Sequence, residues 1–182
     1  MTMHLSWTNQ YFKMNHMQEI RIEKVTLNIG TGTSPDKANK GMKLLQALSE
    51  SKPVKTITQK RIPTLGVRPG LVVGCKVTLR GKKAEELLAR LLQARGNILA
   101  ISHFDNQGNF SFGIKEYLDI PNVKYDAEVG IIGLSVAVTL ERSGSRVKKR
   151  RLQPKEIPTR HKIPMQEAIG FVKNRFGIKV EE

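Results

Sequence analysis

Four segments of this chain alternate apolar and polar residues, and this pattern constrains its fold more than any other feature. Successive side chains of a β-strand point to opposite faces, so alternation predicts a strand with one buried and one exposed face. The alternating segments are residues 24–29, 73–80, 110–118 and 134–141. In the third, Glu116 breaks an apolar row that runs from Phe110 to Leu118. A shorter and less regular strand is predicted near residues 54–58.

Three further segments carry helix signals. The first begins at the Ser-Pro-Asp sequence of residues 34–36, which combines a cap, a first-turn proline and a first-turn acid. The second follows Gly81 and stops at Gly96, and the third opens at Pro164 and stops at Gly177. Their apolar stripes are Ala38, Met42, Leu45 and Leu48, then Leu87, Leu88, Leu91 and Leu92, and finally Ala168, Ile169, Val172 and Phe176.

These elements follow the order β, α, β, β, α, β, β, α. This order, with half-polar strands and short connections, predicts an α+β fold in which helices pack on one face of a largely antiparallel β-sheet. The other face of the sheet is then polar and basic. Its predicted members are Lys24, Thr26, Asn28, Lys76, Thr78 and Arg80. Such a face is either an RNA platform or simply the solvated side of an antiparallel sheet.

The basic residues are concentrated in two stretches. Residues 52–83 hold nine Lys and Arg and no acid, and residues 143–163 hold eight against Glu156 alone. Their charges of +9 and +7 together exceed the +15 of the whole chain. Charge gathered in this way indicates a polyanion partner, because Lys and Arg contacts to a phosphate backbone release its counterions. The alternative, charge that serves solubility alone, does not require long stretches without acids.

Two basic segments are predicted to lack regular structure. Residues 59–70 join two strands and contain two prolines and two glycines, so we expect a mobile loop. Residues 143–163 have no sustained apolar stripe, so we expect an extended segment that RNA orders. Their cations are Lys60, Arg61 and Arg68 in the first segment and, clustered in the second, Arg146, Lys148, Lys149, Arg150 and Arg151.

A chain of 182 residues suits one domain with an appendage. We predict a flexible tail or alternative start at residues 1–16, an RNA-binding core at 17–142 and a basic extension at 143–182 that ends in a helix. The candidate start residues are Met1, Met3, Met14 and Met17. Alternatively, the tail docks on a partner through its aromatic residues, which are Trp7, Tyr11 and Phe12.

The sequence argues against an enzyme, a cofactor, a metal site and a membrane span. Gly30-Thr31-Gly32 lies between a strand and a helix, but Pro35 stands where a dinucleotide fingerprint needs its third glycine, and no Gly-Lys-Ser/Thr follows. The four histidines are scattered without partners at metal-ligand spacing. Cys75 alternates with core residues, so we predict a buried thiol. No apolar run approaches the roughly 20 residues of a membrane-spanning helix.

Five strings, in order, resemble signatures of a known family. They are Val-Thr-Leu-Asn-Ile-Gly at 25–30, Lys-Pro-Val at 52–54, Gly-Cys-Lys-Val-Thr-Leu-Arg-Gly at 74–81, the stretch 104–116 and Asp-Ile-Pro at 119–121. Together they resemble the universal large-subunit ribosomal protein of the "L five" family over residues 17–182. Bacterial members stop soon after the strand that ends near Thr139. Because this chain continues, it resembles the archaeal and eukaryotic branch, and its compactness favours an archaeal type.

The resemblance implies a structural protein of the cytoplasmic large ribosomal subunit. Members bind 5S rRNA through the exposed sheet face and help to seat it in the central protuberance. The family's RNA-contacting Asn and Thr correspond to Asn28 and Thr78. A Gln often found before the Lys-Pro pair is Ser51 here, beside Lys52, and Ser reaches less far. The predicted rRNA contacts are therefore the six residues of the polar sheet face, Ser51, Lys52 and the five clustered cations of the basic extension.

The resemblance also implies a role for the loop at residues 59–70. In this family it approaches peptidyl-site tRNA and a small-subunit head protein of the "S thirteen" family, forming an intersubunit bridge. That role falls on Lys60, Arg61 and Arg68. The implied partners are 5S rRNA, large-subunit rRNA, tRNA, the head protein and neighbouring large-subunit proteins. Two other classes stay open: a free-standing regulatory RNA or DNA binder, and a disfavoured nucleotide-using enzyme built on Gly30–Gly32.

Overall fold

The structure, a computed structural model, describes residues 15–181 and is built around a five-stranded antiparallel sheet. The elements in chain order are β1 (Ile20–Gly30), α1 (Pro35–Ser49), β2 (Val54–Ile57), β3 (Val72–Leu79), α2 (Lys82–Ala94), β4 (Ile98–Ala100), β5 (Phe110–Ile114), β6 (Leu134–Arg142), α3 (Arg146–Lys149), α4 (Met165–Phe176) and β7 (Lys179–Glu181). The large sheet has the order β2-β3-β1-β6-β5, and β4 pairs with β7 in a small parallel sheet. The predicted α+β class is confirmed.

The period-two pattern gives the sheet its two faces. Val25, Leu27 and Ile29 of β1 are buried, as are Leu134 and Val136 of β6. The residues between them along each strand point to the opposite face, where Asn28 and Ser135 are exposed. The predicted phase of β1 and β6 is therefore correct.

Helices α1 and α2 cover the apolar face and complete the core. The four leucines predicted for α2 are buried, and burial of each contributes about 1.5–3 kcal/mol. In α1, Leu44 and Gly41 are buried, whereas Met42, predicted for the stripe, is only half-buried. Helix α4 adds Ala168 and Val172 to the same core. All three predicted helices are therefore present, with boundaries within a few residues of those expected.

The third alternating segment is shorter than predicted. Strand β5 ends at Ile114, and Tyr117–Asp119 form a 3₁₀ turn. Tyr117 is 1% exposed and Leu118 is 36% exposed, so the prediction that Leu118 belongs to the apolar row was wrong. A 3₁₀ turn rotates successive side chains by about 120°, which ends the period of two. The Tyr117 hydroxyl accepts a hydrogen bond from the Asp126 backbone N–H at 3.1 Å, so its burial leaves no polar atom unpaired.

The basic extension is more regular than predicted. Its clustered cations begin with the helical turn α3 instead of an extended segment, and Thr159–His161 form a 3₁₀ turn. Ile163 is buried so close to the turn at Gly108 that a Cβ there would lie 2.8 Å from its Cγ2. The extension does not end in a helix, because β7 follows α4. Most of the tail predicted for residues 1–16, with its aromatic residues, lies outside the described residues.

Candidate nucleic-acid interface

The six polar residues predicted for one sheet face lie together and form what we call the polar platform: Lys24, Thr26, Asn28, Lys76, Thr78 and Arg80. Strands β1 and β3 pair Thr26 with Thr78 and Asn28 with Lys76, and the two threonine hydroxyl oxygens are 3.5 Å apart. Leu79 pairs with Val25, so Arg80 lies at the level of Lys24. The predicted strand phase of β3 is thereby confirmed as well.

Small residues widen this platform across the sheet. Strand β6 pairs Ser135 with Asn28 and Ala137 with Thr26. Strand β5 continues the same rows with Gly113 and Ser111. Because these side chains are short and exposed, a ligand can approach the sheet closely along the whole row. The result is an open floor with hydroxyl and amide groups at its centre.

A β-bulge turns an acidic residue towards the end of this floor. The register of β1 against β6 shifts between Ile22 and Lys24, which leaves Glu23 as the extra residue. Glu23 is only 13% exposed and forms an ion pair with Lys149 of α3. Glu141, 15% exposed and paired in register with Arg21, is the second acid beneath α3. We call Glu23 and Glu141 the acid anchor.

The acid anchor holds the basic extension against the sheet. The Ser145 hydroxyl donates to Glu141 Oε2, and Lys149 Nζ lies 3.8 Å from the same oxygen. Arg21 Nε and Nη2 donate to Glu141 Oε1 at 3.0 and 2.8 Å. Helix α3 therefore sits at the β1–β6 end of the polar platform. The structure thus joins part of the second basic stretch to the sheet face, which the sequence did not predict.

The environment of Glu141 favours its charged form. Burial raises the pKa of this carboxyl, but the hydrogen bonds from Ser145 and Arg21, with the charges of Arg21 and Lys149, outweigh it. The pKa of Glu141 therefore lies below its ordinary value. A carboxylate held in this way remains an ionised anchor throughout the neutral range.

Comparison with known proteins decides the family. Residues 72–164 match the description "ribosomal L5P family C-terminus", and residues 15–68 match "Ribosomal protein L5". The chain belongs to the ribosomal protein L5 family. The family's proteins are structural components of ribosomes, so the prediction that this chain is not an enzyme is confirmed.

Archaeal members of the L5 family resemble this chain over nearly its whole length. The large ribosomal subunit protein uL5 of Sulfurisphaera tokodaii is 47% identical over 170 residues, which cover 93% of this chain and 96% of that protein. The protein of the same name from Methanosphaera stadtmanae is 41% identical over 168 residues, covering 92% and 100%. That from Methanococcus aeolicus is 44% identical over 169 residues, covering 91% and 93%. The predicted archaeal type is therefore confirmed.

In this L5-family chain, the loop at residues 59–70 is closed on itself. The backbone N–H groups of Ile62 and Val67 donate to each other's carbonyls at 2.9 and 3.1 Å, around a 3₁₀ turn at Pro63–Leu65. The expectation that prolines and glycines deny the loop regular structure was therefore wrong. Gly66 ends the turn in the left-handed conformation that glycine permits, and Val67 is buried.

The loop cations are kept apart from the basic extension. Lys60, Arg61 and Arg68 are all exposed. The loop leads into β3 beside the Gly30 end of β1, whereas α3 follows β6 beside the Ile20 end. The loop and α3 therefore lie at opposite ends of the sheet. Ser51 and Lys52 lie between these extremes, directly before β2, whose first residue Val54 pairs with Lys76.

One cation that the sequence did not single out joins the platform of this L5-family chain. Arg95 follows the last residue of α2 and is exposed, and its Nη1 donates to the carbonyl of Gly113 at 2.7 Å. This bond places its guanidinium at the β5 edge of the sheet. The available signal was a cation directly before the helix-ending Gly96, but the tertiary contact with β5 is not readable from the sequence.

The features first considered for catalysis have structural roles among the described residues. Thr31 is buried, and its backbone N–H donates to the Val73 carbonyl at 3.0 Å, so Gly30–Gly32 form a turn from β1 towards α1. Cys75 is buried as predicted, and burial raises the pKa of its thiol. Within residues 15–181, no cluster of three His, Cys, Asp or Glu could hold a metal ion. No helix in this range is long and apolar enough to span a membrane.

Proposed function

We propose that this chain is a structural, RNA-binding component of the large ribosomal subunit that holds 5S rRNA on its polar platform. One observation carries this proposal: hydroxyl, amide and cationic side chains lie on one open sheet face, and α3 extends that face with further cations. Lys and Arg neutralise phosphates, while Asn and Thr hydrogen-bond RNA groups. On this proposal the protein works in the cytoplasm, bound to ribosomes, and helps to seat 5S rRNA in the central protuberance.

Large-subunit rRNA and neighbouring large-subunit proteins are further partners in this proposal. A salt titration of 5S rRNA binding tests the electrostatic part. If about six phosphates are neutralised, log affinity falls against log salt with a slope of roughly −4 to −5. A slope near zero would contradict a phosphate-binding platform.

Sedimentation of the endogenous protein tests the assignment to the ribosome. We expect it to travel with the large subunit and to leave with 5S rRNA on mild stripping. Recovery only in ribosome-free fractions would instead favour a free-standing regulatory RNA or DNA binder. Such a binder would select its target by base contacts, whereas a structural rRNA partner is recognised largely by shape.

We further propose that the 59–70 loop contacts peptidyl-site tRNA and the small-subunit head protein of the "S thirteen" family, forming an intersubunit bridge. Its position supports separate roles for the loop and for α3, because the loop lies at the end of the sheet opposite α3. Three exposed cations suit phosphate contacts, and Leu65 at the turn is an exposed apolar residue suited to a protein contact. The loop and the cations of α3 therefore lie at opposite ends of the sheet.

A further inference from the structure

A groove of about 370 Å³ opens on the polar face at the end of the sheet near the loop. Its lining comes from β1, β5, β6 and the residues beside them, and its polar residues and glycines are Asn28, Gly30, Arg95, Gly113, Lys115, Gly133 and Ser135. Its described lining residues include two cations and neither Asp nor Glu. The charge of the groove therefore suits an anionic group.

Two glycines in this groove are not explained by the fold. Gly113 lies within β5 and pairs with Ser135, yet its backbone is outside the left-handed region, and an added Cβ would meet nothing within 4 Å. The same holds for Gly30 at the end of β1. By contrast, a Cβ on Gly74 or Gly133 would come within 2.6 Å of a backbone oxygen, so the fold itself requires those two glycines.

A glycine inside a strand weakens it, and it often marks a place where a ligand or another backbone comes close. No described residue lies within 4 Å of the space above Gly113, so this floor is open to a bound ligand. The surroundings indicate its chemistry. Arg95 uses one N–H to hold the Gly113 carbonyl, and a guanidinium has five N–H donors. Lys115, Asn28 and Ser135 are exposed around the same floor.

We propose that this groove is a subsite for the sugar–phosphate backbone of a bound RNA strand. Arg95 and Lys115 take a phosphate, Asn28 and Ser135 hydrogen-bond a ribose hydroxyl, and Gly113 and Gly30 let the strand lie against the sheet. None of the described residues that line the groove is aromatic, so they offer a bound base no aromatic ring on which to stack. This inference rests on the proposed function and adds residues that the sequence did not suggest, namely Arg95, Gly113, Lys115 and Ser135.

The test compares matched glycine substitutions in full-length protein, with 5S rRNA as the probe. Gly113→Ala and Gly113→Val fill the groove and should leave thermal stability equal or higher, since a strand gains from a side chain with free space. We expect affinity to fall about 3-fold for Ala and more than 10-fold for Val. Gly170→Ala in α4 is the control, because its Cβ also meets nothing within 4 Å. That variant should bind like wild type.

Arg95→Gln supplies an independent readout. It should lower affinity and reduce the salt slope by about one phosphate contact. If folded Gly113→Ala binds 5S rRNA with full affinity and Arg95→Gln leaves the salt dependence of binding unchanged, the subsite is refuted. These two variants also decide the question if Gly113→Val fails to fold. Failure of the wild-type protein to bind 5S rRNA would instead overturn the proposed function, so the two failures are distinguishable.

Discussion

Replacing Glu141 by Gln removes a negative charge from a surface that we propose binds RNA, yet we predict weaker RNA binding. The carboxylate receives hydrogen bonds from Arg21 at 3.0 and 2.8 Å and from the Ser145 hydroxyl, and it lies 3.8 Å from Lys149 Nζ. Gln retains one oxygen acceptor and no charge. Helix α3 then loses the charge that Glu141 presents to Ser145 and Lys149, while the ion pair between Glu23 and Lys149 remains.

The magnitude follows from the burial of these contacts. A hydrogen bond to a charged group contributes about 1.5–3 kcal/mol. The Gln amide retains part of these hydrogen bonds, and Lys149 is half-exposed, so its ion pair is weakened by solvent. The expected loss in the free energy of α3 docking is therefore about 1–2 kcal/mol. RNA must then restore the docking, so affinity falls roughly 5- to 30-fold. The opposing gain is smaller, because two unit charges roughly 10 Å apart in water repel by about 0.4 kcal/mol before screening.

Fluorescence anisotropy with labelled 5S rRNA at fixed salt measures this effect, and amide hydrogen exchange across residues 145–150 reports the docking of α3. Glu85→Gln is the matched control. Glu85 lies on α2, in the helical layer, and its Oε2 is 3.0 Å from Arg175 Nη2, so this variant also removes an ion-paired acid. It changes the net charge equally and should leave affinity nearly unchanged. If Glu141→Gln instead binds RNA as tightly as Glu85→Gln or more tightly, the anchoring argument is refuted.

Three further outcomes are expected. Asn28→Ala and Thr78→Val should each weaken 5S rRNA binding by about 1–3 kcal/mol with little change in thermal stability. Val77→Asp, at a site that is 4% exposed, should instead unfold the domain. The reverse pattern would mean that the strand phase is wrong by one residue. Alanine at all three cations of the 59–70 loop should leave 5S rRNA affinity intact and impair subunit joining in a reconstituted translation assay. If this variant loses 5S rRNA affinity as strongly as it loses subunit joining, the loop belongs to the 5S rRNA site and the proposed separation of roles is wrong. Because the folded pKa of Glu141 is depressed, its contribution to stability is fully present above its ordinary value of 4.5 and is lost as pH falls through the lower folded value. Acid unfolding curves of wild type and Glu141→Gln should therefore stay apart at pH 4.5 and converge only once the pH has fallen below the folded pKa.

The sheet and its polar face were predictable because alternation is a local signal. Residues on the exposed face of β1 identify themselves within the strand, and antiparallel pairing then brings Thr26 beside Thr78. The three long helices were equally readable from cap residues and apolar stripes. In each case the deciding information lies within a window of about fifteen residues or fewer, as pattern reading requires.

Contacts between distant segments could not be predicted in the same way. Lys149 looked like one cation among many, and only the bulge at Glu23 and the register of β6 place acids beneath it. The closed 59–70 loop depends on two backbone hydrogen bonds that composition does not reveal. Arg95 reached the platform by a bond to a strand carbonyl 18 positions further along the chain.

The pairing of β4 with β7 has a consequence for how the chain is made. Ile98 pairs with Lys179, 81 positions later, and β7 holds the last described residues. Synthesis proceeds from the N-terminus, and folding follows that direction. All five strands of the large sheet can therefore pair before β7 has been synthesised, but β4 has no partner until residues 179–181 have been made. A message truncated before Lys179 would yield a protein in which the large sheet and the core packing of α4 can form but β4 stays unpaired.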